Sequence, residues 1–532
     1  MLEKIYECFP FKVPRQGQIE LIEKIINAFK SGKKHVILNA PTGWGKSVIA
    51  YTIIKYFGDG YILTSQKCLQ EQYHRDLQVP YVLGRNNYIC SRNSLLTCEM
   101  GLCKRNTSKY CSNCQYLKYR NNCFSSLISN MNYNYFLTCN NTAKVSDIND
   151  ILNTVSIIPN RNIIVCDECH NFENELINLC SLKLSDQLLK YLSIPDKLPH
   201  KNANDEKIFE HLFKKILPDL SLTLEGYKNQ INGHKAFGHT KNNKEVQIVI
   251  QKYLTIKKIL ASIKEIKIQY NNKQPIIIHR DGDLIEFKLL YANKLFNMYV
   301  EKYANKFLHM SATILNKDDY CNNLGLNKNE VEYISVEAIF PRENRLIHYM
   351  PIGSMSYLNK DKTLPIMANK VNELLTKYKN NKGIIHTTNY NIAQIIIEKL
   401  KNTENGYRLV MPRGSNRQEI LNEFYESDEP LVLISPSLSE GLDLKDDLSR
   451  FCIICKVPYA SLGDPWVKAR MEKNNIWYTI NAAQTLIQMT GRSIRSETDY
   501  CDTYILDSNF LQFAKQSFNL LPNWWKESVI EN

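Results

Sequence analysis

Apolar and polar positions along the first 80 residues predict strands and helices in turn. Helical spacing of apolar residues runs from Gln18 to Phe29, and the short apolar runs His35–Asn39 and Tyr61–Thr64 are typical of buried strands. Between those strands, Pro41–Ser47 has the composition of a loop and Val48–Phe57 the pattern of a second helix. Strands that alternate with helices predict a parallel sheet covered by helices.

Two segments interrupt this pattern before it returns. Residues 84–123 are rich in cysteine and polar residues, and the apolar strand pattern reappears only at Asn162–Cys166. Residues of about 180–290 have helical spacing and end in a hairpin pattern, Ile276–Leu290, around an Asp-Gly turn. We expect both segments to be insertions in one α/β domain.

A second α/β region begins at about residue 345. Its apolar strand patterns are Gly383–His386, Leu431–Ile434 and Phe451–Ile454. The sequence therefore predicts the α/β fold class, with two parallel-sheet domains.

Composition narrows the class of partner and the location. The formal net charge is +13, which favours a polyanion such as DNA or RNA, although a Lys-rich solvated surface explains it equally well. No apolar run approaches the roughly 20 residues that cross a bilayer. The amino-terminal residues are charged and lack the apolar core of a signal peptide. We expect an intracellular protein, cytoplasmic or nuclear, without a membrane partner.

A phosphate loop is predicted between the first strand and its helix. Its residues are Ala40, Pro41, Thr42, Gly43, Trp44, Gly45, Lys46 and Ser47. Glycines allow a tight turn whose N–H groups point at phosphate oxygens, and the helix adds its positive amino-terminal end. Lys46 is expected to reach the β and γ phosphates of ATP, and Ser47 to bind Mg²⁺. The strict motif has glycine where Ala40 stands.

An acidic box is predicted after the strand Asn162–Cys166. We expect Asp167 to hold Mg²⁺, directly or through water, and Glu168 to act as general base toward the attacking water. His170 would couple the site to a neighbouring motif. Two acids after a strand often lie in a solvated turn. The motif indicates a nucleotide site only because a phosphate loop precedes it in the sequence. Near the amino terminus, Arg15 and Gln18 are candidates for contacting the nucleotide, with Gln18 reading the adenine edge.

The second half carries residues that fit the other side of an ATP site. Gln488 precedes Arg492 and Arg495, which are three residues apart on a helix-like segment and would share a face. A guanidinium group can neutralise charge that develops on the γ phosphate, so hydrolysis would depend on domain closure.

Two weaker motifs complete the predicted site. Ser435–Asp443 follows a strand, and its Glu440, Gly441 and Asp443 could organise a loop between ATP and nucleic acid. Met310–Thr313 could link the acidic box to a bound strand.

Six of the 16 cysteines lie between Cys90 and Cys123, which indicates a metal site. Disulfides are not expected in a cytosolic chain. Four thiolates from a short span fit an iron–sulfur cubane, and Cys111-x-x-Cys114 also fits zinc.

These motifs, in this order, resemble superfamily 2 helicases of the XPD/DinG type over nearly the whole chain. The most specific parts are the run from Gly84 to Cys90, the acidic box with Cys169 where alanine is usual, and two late motifs. The late motifs are Glu440-Gly441-Leu442-Asp443 and Gly491-Arg492-Ser493-Ile494-Arg495. The resemblance implies two RecA-like domains, an iron–sulfur insertion and a mostly helical arch-like insertion. It also implies ATP, Mg²⁺ and a 4Fe–4S cluster as cofactors.

The resemblance also assigns domain boundaries. The first RecA-like, ATP-binding domain would comprise residues 1–83, 124–180 and 291–344. Residues 84–123 would be the iron–sulfur domain and 181–290 the arch-like insertion. The second RecA-like domain would comprise residues 345–532.

In this family the last cluster cysteine precedes an aromatic residue by two positions and an Asn-Tyr pair by about 18. Cys114, with Tyr116 and Asn132-Tyr133, meets both conditions. The predicted cluster ligands are Cys90, Cys103, Cys111 and Cys114, with Cys98 as the alternative. Cys123 would then be a buried thiol on the following helix.

The leading hypothesis is an ATP-dependent DNA helicase that translocates on single-stranded DNA, 5′ to 3′ by implication, and opens forked duplexes as a monomer. Two alternatives remain open. One is an RNA helicase. The other is a zinc-stabilised nucleic-acid-binding protein whose ATP site is a switch without unwinding, against which Arg492 and Arg495 argue.

Overall fold

The computed structural model describes residues 1–101, 113–145, 158–199, 202–236, 244–438, 444, 446–491, 494 and 498–531, without the side chains of 140–145 and 234–236. Some predicted site residues lie outside these ranges. They are Cys103, Cys111, Glu440, Gly441, Asp443, Arg492 and Arg495.

The strands are numbered along the chain. They are β1 (His35–Asn39), β2 (Gly60–Thr64), β3 (Tyr81–Val82), β4 (Ile89–Cys90), β5 (Asn93–Thr97), β6 (Ile128–Asn132), β7 (Arg161–Asp167), β8 (Leu182–Ser185), β9 (Ile276–Asp281), β10 (Leu284–Leu289), β11 (Ala304–Ser311), β12 (Val331–Ser335), β13 (Ile347–Gly353), β14 (Gly383–His386), β15 (Leu409–Val410), β16 (Val432–Ser435), β17 (Phe451–Ile454), β18 (Asp502–Asp507) and β19 (Val529–Glu531).

Helices cover both faces of the strands. They are Leu2–Cys8, Gln18–Lys30, Lys46–Phe57, Lys67–Leu77, Gln115–Ser125, Tyr133–Val145, Phe172–Leu179, Asp186–Tyr191, Asp205–His211, Leu217–Ala236, Lys244–Asn271, Leu295–Tyr299, Lys317–Leu324, Lys360–Lys377, Tyr390–Leu400, Arg417–Glu426, Pro465–Lys473, Asn475–Thr490, Phe510–Ser517 and Asn523–Lys526. A π-helical turn, Leu212–Ile216, joins two of them.

The first sheet has seven parallel strands in the order β12-β1-β11-β7-β2-β6-β3. Its central strands are buried along most of their length, because helices cover both faces of the sheet. In register, Asn39 of β1 lies beside Ser311 of β11, and Met310 beside Asp167 of β7. The carboxyl ends of these three strands therefore meet at one edge of the sheet, where open α/β sheets bind ligands.

The second sheet also has seven parallel strands, in the order β15-β16-β14-β17-β18-β13-β19. The fold is thus α/β with two RecA-like sheets, as the sequence predicted. Cys452 and its neighbours on β17 are buried in this second core.

Two small sheets occupy the interrupting segments. β4 and β5 form an antiparallel hairpin, and β8, β10 and β9 form a three-stranded antiparallel sheet beside the long helix Lys244–Asn271. The predicted hairpin around the Asp-Gly turn is confirmed, with Gly282 at a φ of 61°. Among the described residues, no helix combines the length and the apolar character needed to cross a membrane.

Candidate nucleotide site between the two sheets

The loop after β1 has a backbone suited to phosphate. Gly43 and Gly45 have φ angles of 103° and 67°, and a Cβ at Gly43 would lie 2.4 Å from the Phe340 ring. Both positions therefore require glycine. Ala40 instead continues β1: its N–H donates to Ser311 O at 2.9 Å and its side chain is buried. Alanine replaces the usual glycine without strain because this position has no positive φ.

The following helix begins at Lys46, two residues before the predicted start at Val48. An apolar pattern cannot reveal the first turn, because Lys46 and Ser47 are polar. The amino-terminal end of the helix thus faces the phosphate loop, where it favours an anion. Lys46 Nζ donates to Ala40 O at 3.1 Å, so the ammonium group lies inside the loop.

Arg15 and Gln18 contact the loop from outside, and Trp44 anchors it from within. The Gln18 amide accepts from Arg15 N at 3.1 Å and donates to Trp44 O at 3.0 Å, while Arg15 Nη1 donates to Gly43 O. Trp44 Nε1 donates to Glu337 O at 2.8 Å. In this arrangement both ends of the Gln18 amide contact the backbone around the loop, and reading of the adenine edge stays a prediction.

The acidic box begins at the carboxyl end of β7. Asp167 is 4% exposed, and its Oδ1 accepts from Glu168 N at 3.1 Å. Its Oδ2 accepts from the Tyr73 phenol at 2.9 Å, and its backbone oxygen accepts from Tyr133 OH at 2.8 Å. Burial, and next the Glu168 charge, raise the pKa of Asp167 to about 6, while Lys46 acts in the opposite direction.

Glu168 adopts the left-handed backbone region, with a φ of 49°. This conformation costs a non-glycine residue on the order of 1 kcal/mol and is often found at functional sites. Its carboxylate lies 3.4 Å from Nδ1 of His170. That same nitrogen lies 2.8 Å from Ser311 Oγ, at the end of β11. The acidic box is thereby tied to the Ser-Ala-Thr turn of the neighbouring strand.

The helix Asn475–Thr490 carries the second domain into this site. Gln488 Nε2 donates to Nε2 of His170 at 2.6 Å, and Gln484 Nε2 donates to Thr313 O at 2.8 Å. With Nε2 of His170 as acceptor, its Nδ1 carries the proton and donates to Ser311. The two predicted halves of the site are therefore in contact through His170 and Gln488.

A second contact joins the two halves away from the phosphate loop. The guanidinium group of Arg470 is buried and donates to Leu290 O, to Glu173 and to Asn323 Oδ1. Burial raises the pKa of Glu173 to about 7, although the Arg470 charge and hydrogen bond oppose that shift. This contact fixes the helix Pro465–Lys473 against the helix that follows the acidic box.

The residues present fit a Mg²⁺ ion. The Asp167 carboxylate and the Ser47 hydroxyl are oxygen ligands of the kind that Mg²⁺ prefers, and both interact with the same Tyr73 phenol. The two predicted ligands are therefore neighbours at one end of the loop.

The cysteine-rich segment brings two candidate cluster ligands, Cys98 and Cys114, close together. Cys98 N donates to Tyr88 O at 2.7 Å, and Cys98 Sγ lies 3.7 Å from Cys114 Sγ. Cys90 is buried at the end of β4. Within the described part of the chain, no group of three or more metal-binding side chains is assembled. Cys123 is a buried thiol on the helix Gln115–Ser125, as predicted, and burial raises its pKa to about 12.

Sequence reasoning missed Tyr73, Gln484 and the Arg470–Glu173 pair. Tyr73 belongs to the buried face of an ordinary amphipathic helix, and such faces are usually core. Arg470 sits in a charged stretch that looks solvated in sequence. Only the fold places these side chains next to the site.

The chain is similar in sequence to known helicases. The model of the family described as "Helicase C-terminal domain" matches residues 372–528, and that of "Type III restriction enzyme, res subunit" matches residues 11–202. A probable ATP-dependent helicase of Methanocaldococcus jannaschii is 24% identical over 96% of this chain and 94% of its own. The ATP-dependent DNA helicase YoaA of Haemophilus influenzae is 22% identical over 96% and 93%.

Solved structures agree at the level of fold. An XPD helicase covers 98% of this chain and 100% of its own with a TM-score of 0.65 and 17% identity. Xpd4 of S. tokodaii covers 97% and 100% with a TM-score of 0.58 and 15% identity. Together with the contact between the phosphate loop, the acidic box and the second sheet, these likenesses show that the chain is an ATP-dependent helicase that is similar to the XPD/DinG-type helicases of superfamily 2.

Proposed function

We propose that this helicase acts on DNA, translocating 5′ to 3′ on single-stranded DNA as a monomer and separating forked duplexes. The contact between His170 and Gln488 carries the proposal, because it joins the acidic box of one sheet to the second sheet across the nucleotide site. The relative YoaA, named a DNA helicase, and the net charge of +13 support DNA as the partner.

The side chains have distinct roles in hydrolysis. Lys46 binds the β and γ phosphates, and Ser47 and Asp167 hold Mg²⁺, which neutralises phosphate charge when bound. Glu168 accepts the proton of the attacking water. The left-handed backbone of Glu168 turns its side chain away from the strand and towards His170.

Gln488, Arg492 and Arg495 complete the site from the second sheet. Gln488 couples the second sheet to the acidic box through its hydrogen bond to His170. The two arginines would neutralise charge on the γ phosphate. Glu440, Gly441 and Asp443 would couple this site to the bound strand. Because ligands from two domains surround one triphosphate, hydrolysis opens the cleft and advances the strand.

We further propose a 4Fe–4S cluster in an iron–sulfur domain of residues 84–123. The ligand set is Cys90, Cys103, Cys111 and Cys114, with Cys98 as the alternative. The short Cys98–Cys114 distance supports a thiolate site here and strengthens the case for Cys98. When bound, the cluster would cross-link this segment into a rigid wedge.

The remaining boundaries follow from the same proposal. Residues 1–83, 124–180 and 291–344 form the ATP-binding domain, residues 181–290 the arch-like insertion and residues 345–532 the second RecA-like domain.

Unwinding of tailed duplexes tests the proposed activity. With ATP, a duplex bearing a 5′ single-stranded tail should be separated and one bearing a 3′ tail should not. The variant Lys46→Ala should lose at least about 10²-fold in ATP hydrolysis and still bind DNA. Efficient unwinding of 3′-tailed substrates, or hydrolysis retained by Lys46→Ala, would refute the proposal.

Two further measurements separate the alternatives. Stimulation of ATP hydrolysis by single-stranded DNA but not RNA supports a DNA helicase, and the reverse supports an RNA helicase. A protein purified without oxygen that absorbs visible light and bleaches with dithionite contains iron–sulfur. Colourless protein with stoichiometric zinc and nucleotide-dependent binding without unwinding identifies the switch.

A further inference from the structure

A tyrosine lies directly beneath the predicted Mg²⁺ ligands. Tyr73 is 1% exposed, on the helix Lys67–Leu77, and its phenol donates to Oδ2 of Asp167 at 2.9 Å. The Ser47 hydroxyl interacts with the same phenol. One buried hydroxyl therefore donates to one of the two side chains that would hold the cation and lies close to the other, although Tyr73 itself lies 94 residues from Asp167 in sequence.

The other contacts of Asp167 do not control its carboxylate in the same way. Glu168 N donates to Oδ1 at 3.1 Å, and this bond comes from the next residue in the chain. Tyr133 OH donates to the backbone oxygen at 2.8 Å and leaves the carboxylate untouched. The carboxylate is therefore held at both oxygens, locally at Oδ1 by Glu168 N and at Oδ2 by Tyr73 from a distant part of the chain.

We propose that Tyr73 is a positioning residue for the metal–nucleotide site, holding the Asp167 carboxylate and the Ser47 hydroxyl in the orientation that Mg²⁺ requires. A carboxylate oxygen that accepts one hydrogen bond keeps a further lone pair for a metal. Hydrogen bonds to metal-binding carboxylates orient them, and their loss commonly weakens metal affinity 10- to 100-fold. This inference rests on the proposed Mg²⁺ role of Asp167 and Ser47 and adds the residue that prepares them.

The chain offers a matched control. Tyr133 is also a buried tyrosine, is fully shielded from solvent, and donates to the same aspartate. The variants Tyr73→Phe and Tyr133→Phe each delete one buried phenol hydroxyl beside Asp167. They differ in whether the deleted hydrogen bond ended on the carboxylate or on the backbone.

Binding of Mn²⁺ to the full-length protein with saturating ADP, followed by electron paramagnetic resonance, tests the inference without relying on turnover. Tyr73→Phe should weaken Mn²⁺ binding about tenfold. Its affinity for a fluorescent ADP analogue in EDTA should stay unchanged, since the phosphate loop is intact. Tyr133→Phe should bind Mn²⁺ with wild-type affinity. Loss of its hydroxyl should lower only the thermal stability of the protein.

Equal Mn²⁺ affinity in wild type and Tyr73→Phe would overturn the inference, and so would an equal loss in both variants. Steady-state ATP hydrolysis at several Mg²⁺ concentrations gives a second measurement. It yields the maximal rate and the ATP concentration at half-maximal rate. Excess Mg²⁺ should restore the maximal rate of Tyr73→Phe. If wild type binds Mn²⁺ and ADP but never separates DNA strands, the proposed function fails while the role of Tyr73 is still decided by the binding data.

Discussion

Two buried aspartates end interior strands of the two sheets, and their surroundings differ. Asp167 closes β7 and Asp507 closes β18, with exposures of 4% and 1%. Three backbone N–H groups donate to Asp507: Met355 and Asn509 to Oδ1 at 3.1 Å each, and Val457 to Oδ2 at 3.0 Å.

Asp167 receives one backbone N–H and one phenol, and it faces a second acid and the Lys46 ammonium. Backbone donors reach both oxygens of Asp507, which therefore fastens three loops together. Asp167 keeps acceptor capacity directed at the phosphate loop. An acid at a strand end is thus structural or functional according to how many backbone donors reach it.

The largest effect is expected at Asp167. Asp167→Asn keeps the shape of the side chain but removes the negative charge that would hold Mg²⁺. The maximal rate of ATP hydrolysis should fall about 10³-fold, or roughly 4 kcal/mol in the barrier. Thermal stability should be retained, because a like-charge contact with Glu168 disappears. Steady-state hydrolysis with single-stranded DNA checks this, and a variant with a tenth of the wild-type rate would contradict it.

The matching change at Asp507 should act on stability instead. Asp507→Asn replaces an acceptor-only carboxylate with an amide whose NH₂ group faces N–H donors. The free energy of unfolding should fall by about 3 kcal/mol. Urea unfolding measures the loss, and the rate per folded molecule should stay near wild type below the transition. Loss of hydrolysis without loss of stability would reverse the roles assigned to the two aspartates.

The first sheet contains a pair of buried histidines, which should make its stability depend on pH in acid. His35 Nδ1 lies 3.2 Å from Nε2 of His309, whose Nδ1 lies 3.0 Å from Tyr320 OH. Burial, and then the Lys34 charge, lower the pKa of His35 to about 3. Burial, and then His35, also lower the pKa of His309.

The pKa of His35 is 6.5 in the unfolded chain and about 3 in the folded chain. Between these two pH values the imidazole is protonated in the unfolded chain and neutral in the folded chain. The stability that the fold gains from a neutral His35 is fully present above pH 6.5. It is lost as the pH falls towards about 3, by about 1.4 kcal/mol per pH unit. The raised pKa values of Asp167 and Glu173 act with the opposite sign, because the folded chain protonates these groups first. A trend in wild type alone therefore cannot isolate the histidine.

The test is the difference between wild type and His35→Gln. The stability of His35→Gln relative to wild type should rise by about 3 kcal/mol over two pH units of acidification. Urea unfolding across that range measures it, with His74→Gln at an exposed position as the control for loss of an imidazole. A pH-independent difference would show that His35 titrates alike in both states.

The sequence predicted the buried strands well, since each is a continuous apolar run. His35–Asn39, Gly383–His386 and Phe451–Ile454 have the bounds expected from the pattern. The strand predicted as Leu431–Ile434 is shifted by one residue, because Ser435 completes it with a buried hydroxyl. Apolarity marks the middle of an element, whereas polar residues such as Lys46 and Ser435 decide its ends.

The side chains that set the chemistry were less accessible to prediction. The phosphate loop and the acidic box were identifiable because each is local in sequence. The supporting contacts are not local: Tyr73 lies 94 residues from Asp167, and Met355 lies 152 from Asp507. A single chain read alone gives no sign of which buried tyrosine or amide will meet which carboxylate, since packing of the helices on the sheet decides it.

The smallest predicted effect concerns the link between the two sheets. Gln488→Ala removes the donor to His170 Nε2 without disturbing the phosphate loop or the acids. Loss of about 1.4 kcal/mol of hydrogen bonding should lower the DNA-stimulated rate about tenfold, with little change in the ATP concentration at half-maximal rate. The control Thr485→Ala deletes a hydroxyl on the same helix that bonds to Asn481 O of that helix.

Gln488→Ala also tests whether the second sheet controls the acidic box through His170. If the Gln488–His170 contact couples DNA binding to the acidic box, Gln488→Ala should hydrolyse ATP at nearly the same rate with and without DNA. Asp167→Asn should be slow in both conditions. A variant that keeps full DNA stimulation would show that the second sheet communicates with Asp167 by another route. Arg470 and Glu173, which form another contact between the two halves, provide one such route.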